Sequence, residues 1–354
     1  GQQKAGRNRL IHDILASKSM NFFAWTAGAS STTLGVLQNV LPRFLWEWLD
    51  FFALMTVVLT RVTIGGLAFK GHENCNRPAK LLILYEFEAC PFCKKVREAL
   101  GVLNLDYMCY PCPRETFKKR GVVKESRYRG EALAKGRKAQ FPLLIDENTG
   151  TTMYESDAII DYLFTKYGNT AQKSLIWNLL YSQIPQLNAV LLFLVSLLRT
   201  LPEHGLLRIP SRRPEKPLEL YGTENSPFVK RVRETLCSLE LPYIFHTLPL
   251  NAKVKREALK AAYGHEIGWS RQKAGLFKIP FLKDPNTNTH MFESLRIVEY
   301  LKRTYQTGDP VKESFWDYGK DDESPPRPSP SETVGDPAAP ASGGRQRVAA
   351  TKSE

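Results

Sequence analysis

The chain repeats itself, and the repeat sets the scale on which it folds. Leu84-Tyr85 recurs as Leu220-Tyr221, Cys90-Pro91-Phe92-Cys93-Lys94 as Ser226-Pro227-Phe228-Val229-Lys230, and Val96-Arg97-Glu98 as Val232-Arg233-Glu234. Further on, Phe141-Pro142 matches Ile279-Pro280, Asp146 matches Asp284, and Asn148-Thr149 matches Asn286-Thr287. Met153-Tyr154-Glu155-Ser156 matches Met291-Phe292-Glu293-Ser294, Tyr162-Leu163 matches Tyr300-Leu301, and Tyr167 matches Tyr305. The offset is 136 residues early and 138 late, so the second copy carries a two-residue insertion between the two blocks of matches. Two copies of about 90 residues each are two domains rather than units of a solenoid.

Both copies predict the same local structure. A short apolar run, Leu81–Tyr85 or Leu218–Tyr221, predicts a buried strand. A helix follows, with Pro91 or Pro227 in its first turn, where a missing N–H costs nothing. Its apolar stripe in the first copy is Val96, Leu100 and Leu103. A second strand is predicted at Leu105–Tyr110 or Tyr243–Thr247. Pro142–Ile145 and Thr152–Tyr154 predict a hairpin around Glu147–Gly150. Ser156 and Ser294 are predicted to cap final helices that carry Ile159, Ile160 and Leu163 on one face. The order is βαβ, a connecting segment, then ββα. The expected fold class is therefore α/β. The expected bounds are 1–78 for an N-terminal arm with an apolar helical segment, 79–168 and 217–306 for the two domains, 169–216 for a helical linker, and 307–354 for a Pro-rich, disordered tail.

That element order, with Cys-Pro-Phe-Cys at the first strand-to-helix turn, resembles tandem thioredoxin-fold domains of the glutaredoxin and glutathione S-transferase N-terminal type. It is similar to plant and algal chloroplast proteins that carry two such domains. Glu-Ser after the hairpin looks like the transferase branch, and Cys-Pro-Phe-Cys looks like glutaredoxin. The resemblance implies a glutathione-dependent thiol–disulfide oxidoreductase with glutathione as co-substrate. Two alternatives stand beside it: a non-catalytic tandem scaffold, and a glutathione transferase-like protein. The long helical domain that carries the electrophile site of ordinary transferases follows neither copy.

Cys90 falls at a helix N-terminus, where the helix dipole and free N–H groups favour a thiolate, the nucleophilic form. Cys93, one turn on, is placed to resolve a mixed disulfide. The resemblance makes Pro142 a cis-proline that exposes the Phe141 backbone to a peptide such as glutathione. It also assigns Glu155 and Ser156 to the γ-glutamyl end of glutathione; simple capping by Ser156 is the plainer reading of the same residues. Glu88, where glutaredoxins carry a basic residue, is expected to oppose the thiolate. In the second copy Ser226 and Val229 replace both thiols, so disulfide exchange there is chemically impossible, while Pro280, Glu293 and Ser294 keep the outline of a groove.

The two CxxC pairs, Cys90/Cys93 and Cys109/Cys112, have the spacing C-x2-C-x15-C-x2-C of a zinc site. The second copy keeps the surrounding pattern with Ser226, Val229, Phe245 and Leu248 at these four positions, so the fold does not need a metal there and none is expected. Cys112, at the same edge of the parallel strand pair as Cys90, is a candidate second resolving thiol, with chance placement the other reading. The net charge of +13 resides almost wholly in two segments, 114–138 at +7 and 253–278 at +5. Such local patches argue against a uniformly basic nucleic-acid coat.

Residues 1–46 are basic and nearly free of acids, with small and hydroxyl residues at 27–33, like the tail of an organellar transit peptide; a plastid location is expected. Neither apolar stretch, Phe51–Phe69 with Arg61 inside it or Leu187–Leu201, meets the length of about 20 apolar residues needed for a spanning helix. Buried or interfacial helices are expected, and Trp46 and Trp48 suit contact with a membrane surface.

Overall fold

The computed structural model describes residues 42–61, 64–114, 126–138, 140–169, 171–197, 202–264 and 277–308. Most of the N-terminal arm, the expected disordered tail and the middle of each basic segment lie outside the described residues. Each copy opens with a parallel pair, β1 (Leu82–Glu86) with β2 (Tyr107–Pro111), joined by α2 (Pro91–Val102). A preceding helix, α1 (Arg43–Thr60), starts eight residues before the expected apolar stretch and ends at Thr60. The basic segment contains α3 (Arg129–Gly136), and the hairpin β3 (Leu143–Asp146) and β4 (Thr151–Met153) leads to α4 (Ser156–Tyr167). The linker holds α5 (Leu175–Asn178) and α6 (Pro185–Leu197). The second copy repeats the set as β5 (Leu218–Gly222), α7 (Pro227–Ser238), β6 (Tyr243–Thr247), α8 (Lys253–Tyr263), β7 (Phe281–Asp284), β8 (Thr289–Phe292) and α9 (Ser294–Tyr305).

The late matches of the repeat form one structural device. Asp146 accepts hydrogen bonds from the Asn148 backbone (2.9 Å) and side chain (2.8 Å) and from the hydroxyls of Tyr162 (2.6 Å) and Tyr167 (2.5 Å). Asp284 does the same with Asn286, Tyr300 and Tyr305. A buried carboxylate so satisfied clamps the hairpin turn to the last helix. Ser156 and Ser294 are not the caps expected of them. Each is the first helical residue, and the cap position belongs to Glu155 or Glu293, at φ +67° and +76°.

The two copies are not beads on a string. Their sheets join into one eight-stranded sheet of order β4-β3-β1-β2-β6-β5-β7-β8. The seam is an antiparallel pairing of β2 with β6, with Tyr107 opposite Phe245, Met108 opposite Ile244 and Cys109 opposite Tyr243. Met108 and Ile244 are repeat equivalents, and so are Tyr107 with Tyr243 and Cys109 with Phe245. The seam therefore has a local two-fold axis through the Met108–Ile244 pair, like an isologous dimer interface inside one chain. It removes two exposed sheet edges. One hydrophobic core runs through both halves, holding Leu82, Val96 and Leu100 together with Leu218, Val232 and Leu236.

Under the seam lies a buried ion network with the same symmetry. Lys94 Nζ donates to Glu224 at 3.1 Å, and Lys230 Nζ donates to Glu88 at 2.9 Å. Arg97 Nε pairs with Glu224 at 3.3 Å, and Arg233 Nη2 pairs with Glu88 at 3.1 Å. Within the copies, Arg97 also reaches Glu88 at 3.4 Å and Arg233 pairs with Glu224. Burial pushes the Glu88 and Glu224 carboxyls up, but the surrounding Arg233, Arg97 and lysines outweigh it and hold both below the usual carboxylate range. A similar pair fixes α1: Arg61, the charge inside the apolar stretch, is fully buried and bidentate with Glu98 of α2 (2.8 and 2.5 Å), and donates to Asn188 of α6 (2.7 Å).

Removing one partner of a buried ion pair leaves the other charge uncompensated, at a cost of about 3–5 kcal/mol. Glu88→Ala is expected to destabilise the chain by about that much in urea unfolding. The pH dependence follows from the depressed folded values. The stabilisation from Glu88 and Glu224 is present above the unfolded glutamate pKa of about 4.3 and is lost as pH falls through their folded values. Glu86, whose carboxyl burial pushes up even against Arg97, works in the opposite sense. Urea midpoints between pH 7 and pH 3 should fall more steeply for the wild type than for Glu88→Gln.

Candidate functional site

The turn between β1 and α2 positions Cys90. Its backbone is extended (φ −80°, ψ 121°), and Pro91 occupies the first helical position. Cys90 Sγ therefore takes the place of a capping oxygen and accepts the Cys93 N–H at 3.3 Å. Helix N-terminal N–H groups without intrahelical partners bind negative charge. Ser226 does the same in the second copy, its Oγ accepting the Val229 N–H at 3.4 Å. The geometry of the turn thus survives loss of the thiol.

The peptide bonds Phe141–Pro142 and Ile279–Pro280 are both cis. Cys90, Cys93, Phe141 and Cys112 share one buried cluster with Tyr85, Tyr128 and Leu143. Glu155 is exposed and accepts a hydrogen bond from Gln140 Nε2 at 2.5 Å, which fastens the start of α4 to the loop before Pro142. Lys278, the equivalent of Gln140, pairs with Glu293 in the second copy. Ser156 is buried in the first turn of α4. The predicted residues thus fall into two sets joined through Gln140, with the thiols in one and Glu155 and Ser156 in the other.

Glu88, expected to oppose the Cys90 thiolate, is engaged by cations of both copies. Its carboxylate is matched to Arg233 and Lys230 across the seam and to Arg97 of its own copy. An acid that bears on Cys93 and Cys109 is Glu86, in the last position of β1. Cys109 Sγ donates to Glu86 Oε1 at 3.5 Å, and the Cys112 N–H donates to the Glu86 carbonyl at 2.6 Å. The second copy has Gly222 here, and a Cβ at Gly222 would lie 2.5 Å from Cγ2 of Val229. Position 93/229 thus packs against position 86/222. A small thiol leaves room for the glutamate, and valine leaves room only for glycine. Burial raises the Cys93 thiol well above its ordinary value; its hydrogen bond and charge interaction with Cys90, and the charge of Glu86, push the same way.

Cys109 and Cys112 are both fully buried, yet they sit in different clusters, Cys109 in the core shared by both copies and Cys112 with Cys90 and Cys93. Among the described residues, no group of three or more His, Cys, Asp or Glu side chains is arranged to hold a metal ion.

Two further features escaped the sequence reading. Arg129, at the start of α3, lies over the rings of Phe141 (4.9 Å) and Phe87 (5.8 Å) and donates from Nε to the Pro113 carbonyl at 2.7 Å. Arg256 of α8 holds the equivalent Pro249 carbonyl at 2.9 Å, although the two arginines are out of register in the repeat. The interdomain linker also reaches the site. Leu206 and Leu207 pack on Ala89 and Phe87. Gly205 (φ +80°) approaches so closely that a Cβ there would meet Glu88 Cβ at 2.7 Å. Cys90 itself is only 4% exposed.

The family model of the glutathione S-transferase N-terminal domain matches residues 84–171 and again residues 220–310. Together these segments are half of the chain, and the chain belongs to that family, with the domain present twice. Among solved structures it is similar to a trimeric glutathione transferase of Leishmania, at 14% identity over 66% of this chain and 69% of that one, with a TM-score of 0.22. No curated protein sequence matches it.

Burial opposes ionisation of a thiol. Cys93, Cys109, Cys112 and Cys237 all have thiols raised well above their ordinary value, with burial the largest cause. In the native chain these four should alkylate slowly until pH is well above 9, and quickly once urea is added. Peptide mapping after iodoacetamide treatment at pH 7 and pH 9.5 checks this.

Proposed function

We propose that the first domain is a glutathione-dependent thiol–disulfide oxidoreductase centred on Cys90 and Cys93. The observation that carries the reading is Cys90 Sγ standing as the N-cap of α2 in the same buried cluster as Phe141, which precedes the cis Pro142. The Cys90 thiolate attacks a disulfide sulfur of the substrate, forming a mixed disulfide and releasing one substrate thiolate, which takes up a proton. Cys93 loses its proton and attacks the Cys90 sulfur, closing Cys90–Cys93 and releasing the second substrate thiol. Two molecules of glutathione then reduce the pair and leave as glutathione disulfide. The raised Cys93 thiol suits the later step, since it stays protonated while Cys90 reacts. In this reading Phe141, Pro142, Glu155 and Ser156 hold glutathione, with its γ-glutamyl end toward Glu155 and Ser156.

A second reading, a tandem binding scaffold, is favoured by the second copy, where Ser226 and Val229 keep the turn without the chemistry. The plastid location proposed alongside rests on the basic, acid-poor residues 1–46, and import of the precursor into isolated chloroplasts tests it.

A glutathione-coupled disulfide reductase assay separates the two readings. Cys90→Ser should abolish turnover, Cys93→Ser should trap a mixed disulfide visible by mass, and Ser226→Ala should leave the rate unchanged. Full activity in Cys90→Ser overturns the enzyme reading.

A further inference from the structure

Two helices carry apolar stripes that face away from the core. On α1 the residues Leu45, Trp48, Leu49 and Phe52 follow helical spacing, and Trp48 and Phe52 are each 59% exposed. On α6 the stripe is Leu187, Val190 and Leu194, with Val190 54% exposed. The helices are fastened to each other, since Arg61 at the end of α1 donates to Asn188 in α6. The short α5 adds Leu175, 82% exposed. Single exposed apolar residues need no explanation, but contiguous stripes on packed elements mark an interaction surface.

Acids are scarce on these elements, with Glu47 and Asp50 on α1 and none on α5 or α6. The stretch 171–202, which contains α5 and α6, holds no Asp or Glu. On α1, Asp50 is paired with Arg231 at 3.0 Å. Where α1 leads into the first domain and the linker leads into α5, a cleft of about 350 Å³ is floored by Ile64, Phe69 and Val102 and rimmed by Lys70 and Lys173. Both lysines are exposed, and Lys173 Nζ lies over the Phe164 ring at 4.6 Å. An apolar, aromatic face with cations at its edge complements an anionic bilayer, where Trp and Phe enter the headgroup boundary and Lys stays with the phosphates. No helix among the described residues is long and apolar enough to cross a membrane, so such contact lies in the plane of the surface.

We propose that the face built by α1, α5 and α6 docks on the surface of a bilayer containing anionic lipid, with Lys70 and Lys173 receiving a headgroup phosphate at the cleft. This docking is independent of the thiol chemistry, and Cys90→Ser leaves it intact.

The test is co-sedimentation of the full chain with sucrose-loaded vesicles of phosphatidylcholine alone or mixed with phosphatidylglycerol. Wild type should sediment with the mixed vesicles. Trp48→Glu/Phe52→Glu should lower the partition coefficient by more than about tenfold. Lys70→Glu/Lys173→Glu should lower it about tenfold on mixed vesicles and leave the neutral ones unchanged. Unchanged thermal unfolding of both variants shows that they are folded. Wild type remaining in the supernatant, or Trp48→Glu/Phe52→Glu sedimenting like wild type, overturns the proposal. A dimer in sedimentation velocity that the same variant turns into a monomer, without vesicle binding, assigns the face to a second copy instead and also overturns it.

Discussion

The reciprocal ion network beneath the β2–β6 seam governs the rest of the structure. Glu88 and Glu224 each meet cations from both copies, and each copy's Lys and Arg reach the other copy's acid. Fully buried ion pairs gain little net stability over apolar packing, because desolvation offsets most of the Coulomb attraction. They are intolerant of mismatch, however, since any arrangement that leaves one of these charges unpaired is costly. The network therefore selects the one docking in which the two helices α2 and α7 and the two edge strands meet about a common axis. The edge strands then complete their hydrogen bonding on each other, and the two cores merge.

That docking shapes the thiol site. It holds the Glu88 carboxylate among the cations of the seam, and it brings the linker, through Gly205 to Leu207, onto residues 87–89. The second copy thereby has a structural task even without thiols: Arg233 and Lys230 neutralise the acid two residues before Cys90. Glu86 with Cys93 in one copy and Gly222 with Val229 in the other make the two positions sterically dependent. In the second copy Val229 occupies the space that a side chain at position 222 would need.

Much of this was legible in the sequence. The repeat located both domains, and the family model confirms their type. The CPFC turn foretold Cys90 at a helix start, and the family resemblance implied the cis bond before Pro142, which Pro280 turns out to share. The apolar stretch around Phe51 was readable as a helix, though Arg61 gave no hint of its partner Glu98, 37 residues on. What stayed hidden was long-range. Nothing local in Tyr107–Cys109 says that its neighbour is Tyr243–Phe245, since edge and central strands share one pattern. Glu88 read alone looked like an obstacle to the thiolate; its equivalent Glu224, with the matched Arg97 and Arg233, was the available signal that this position belongs to an interface. Arg129 was hidden because the copies place their capping arginine at different points of unlike segments.

Amide hydrogen exchange at the seam tests the central claim most directly. If the two copies form one sheet, the amides of Tyr107–Cys109 and Tyr243–Phe245 lie in its middle, and they should exchange among the slowest in the chain, near the rate set by global unfolding. Exchange at these positions as fast as at the true edges, β4 and β8, would mean that the seam is open in solution and would contradict the account.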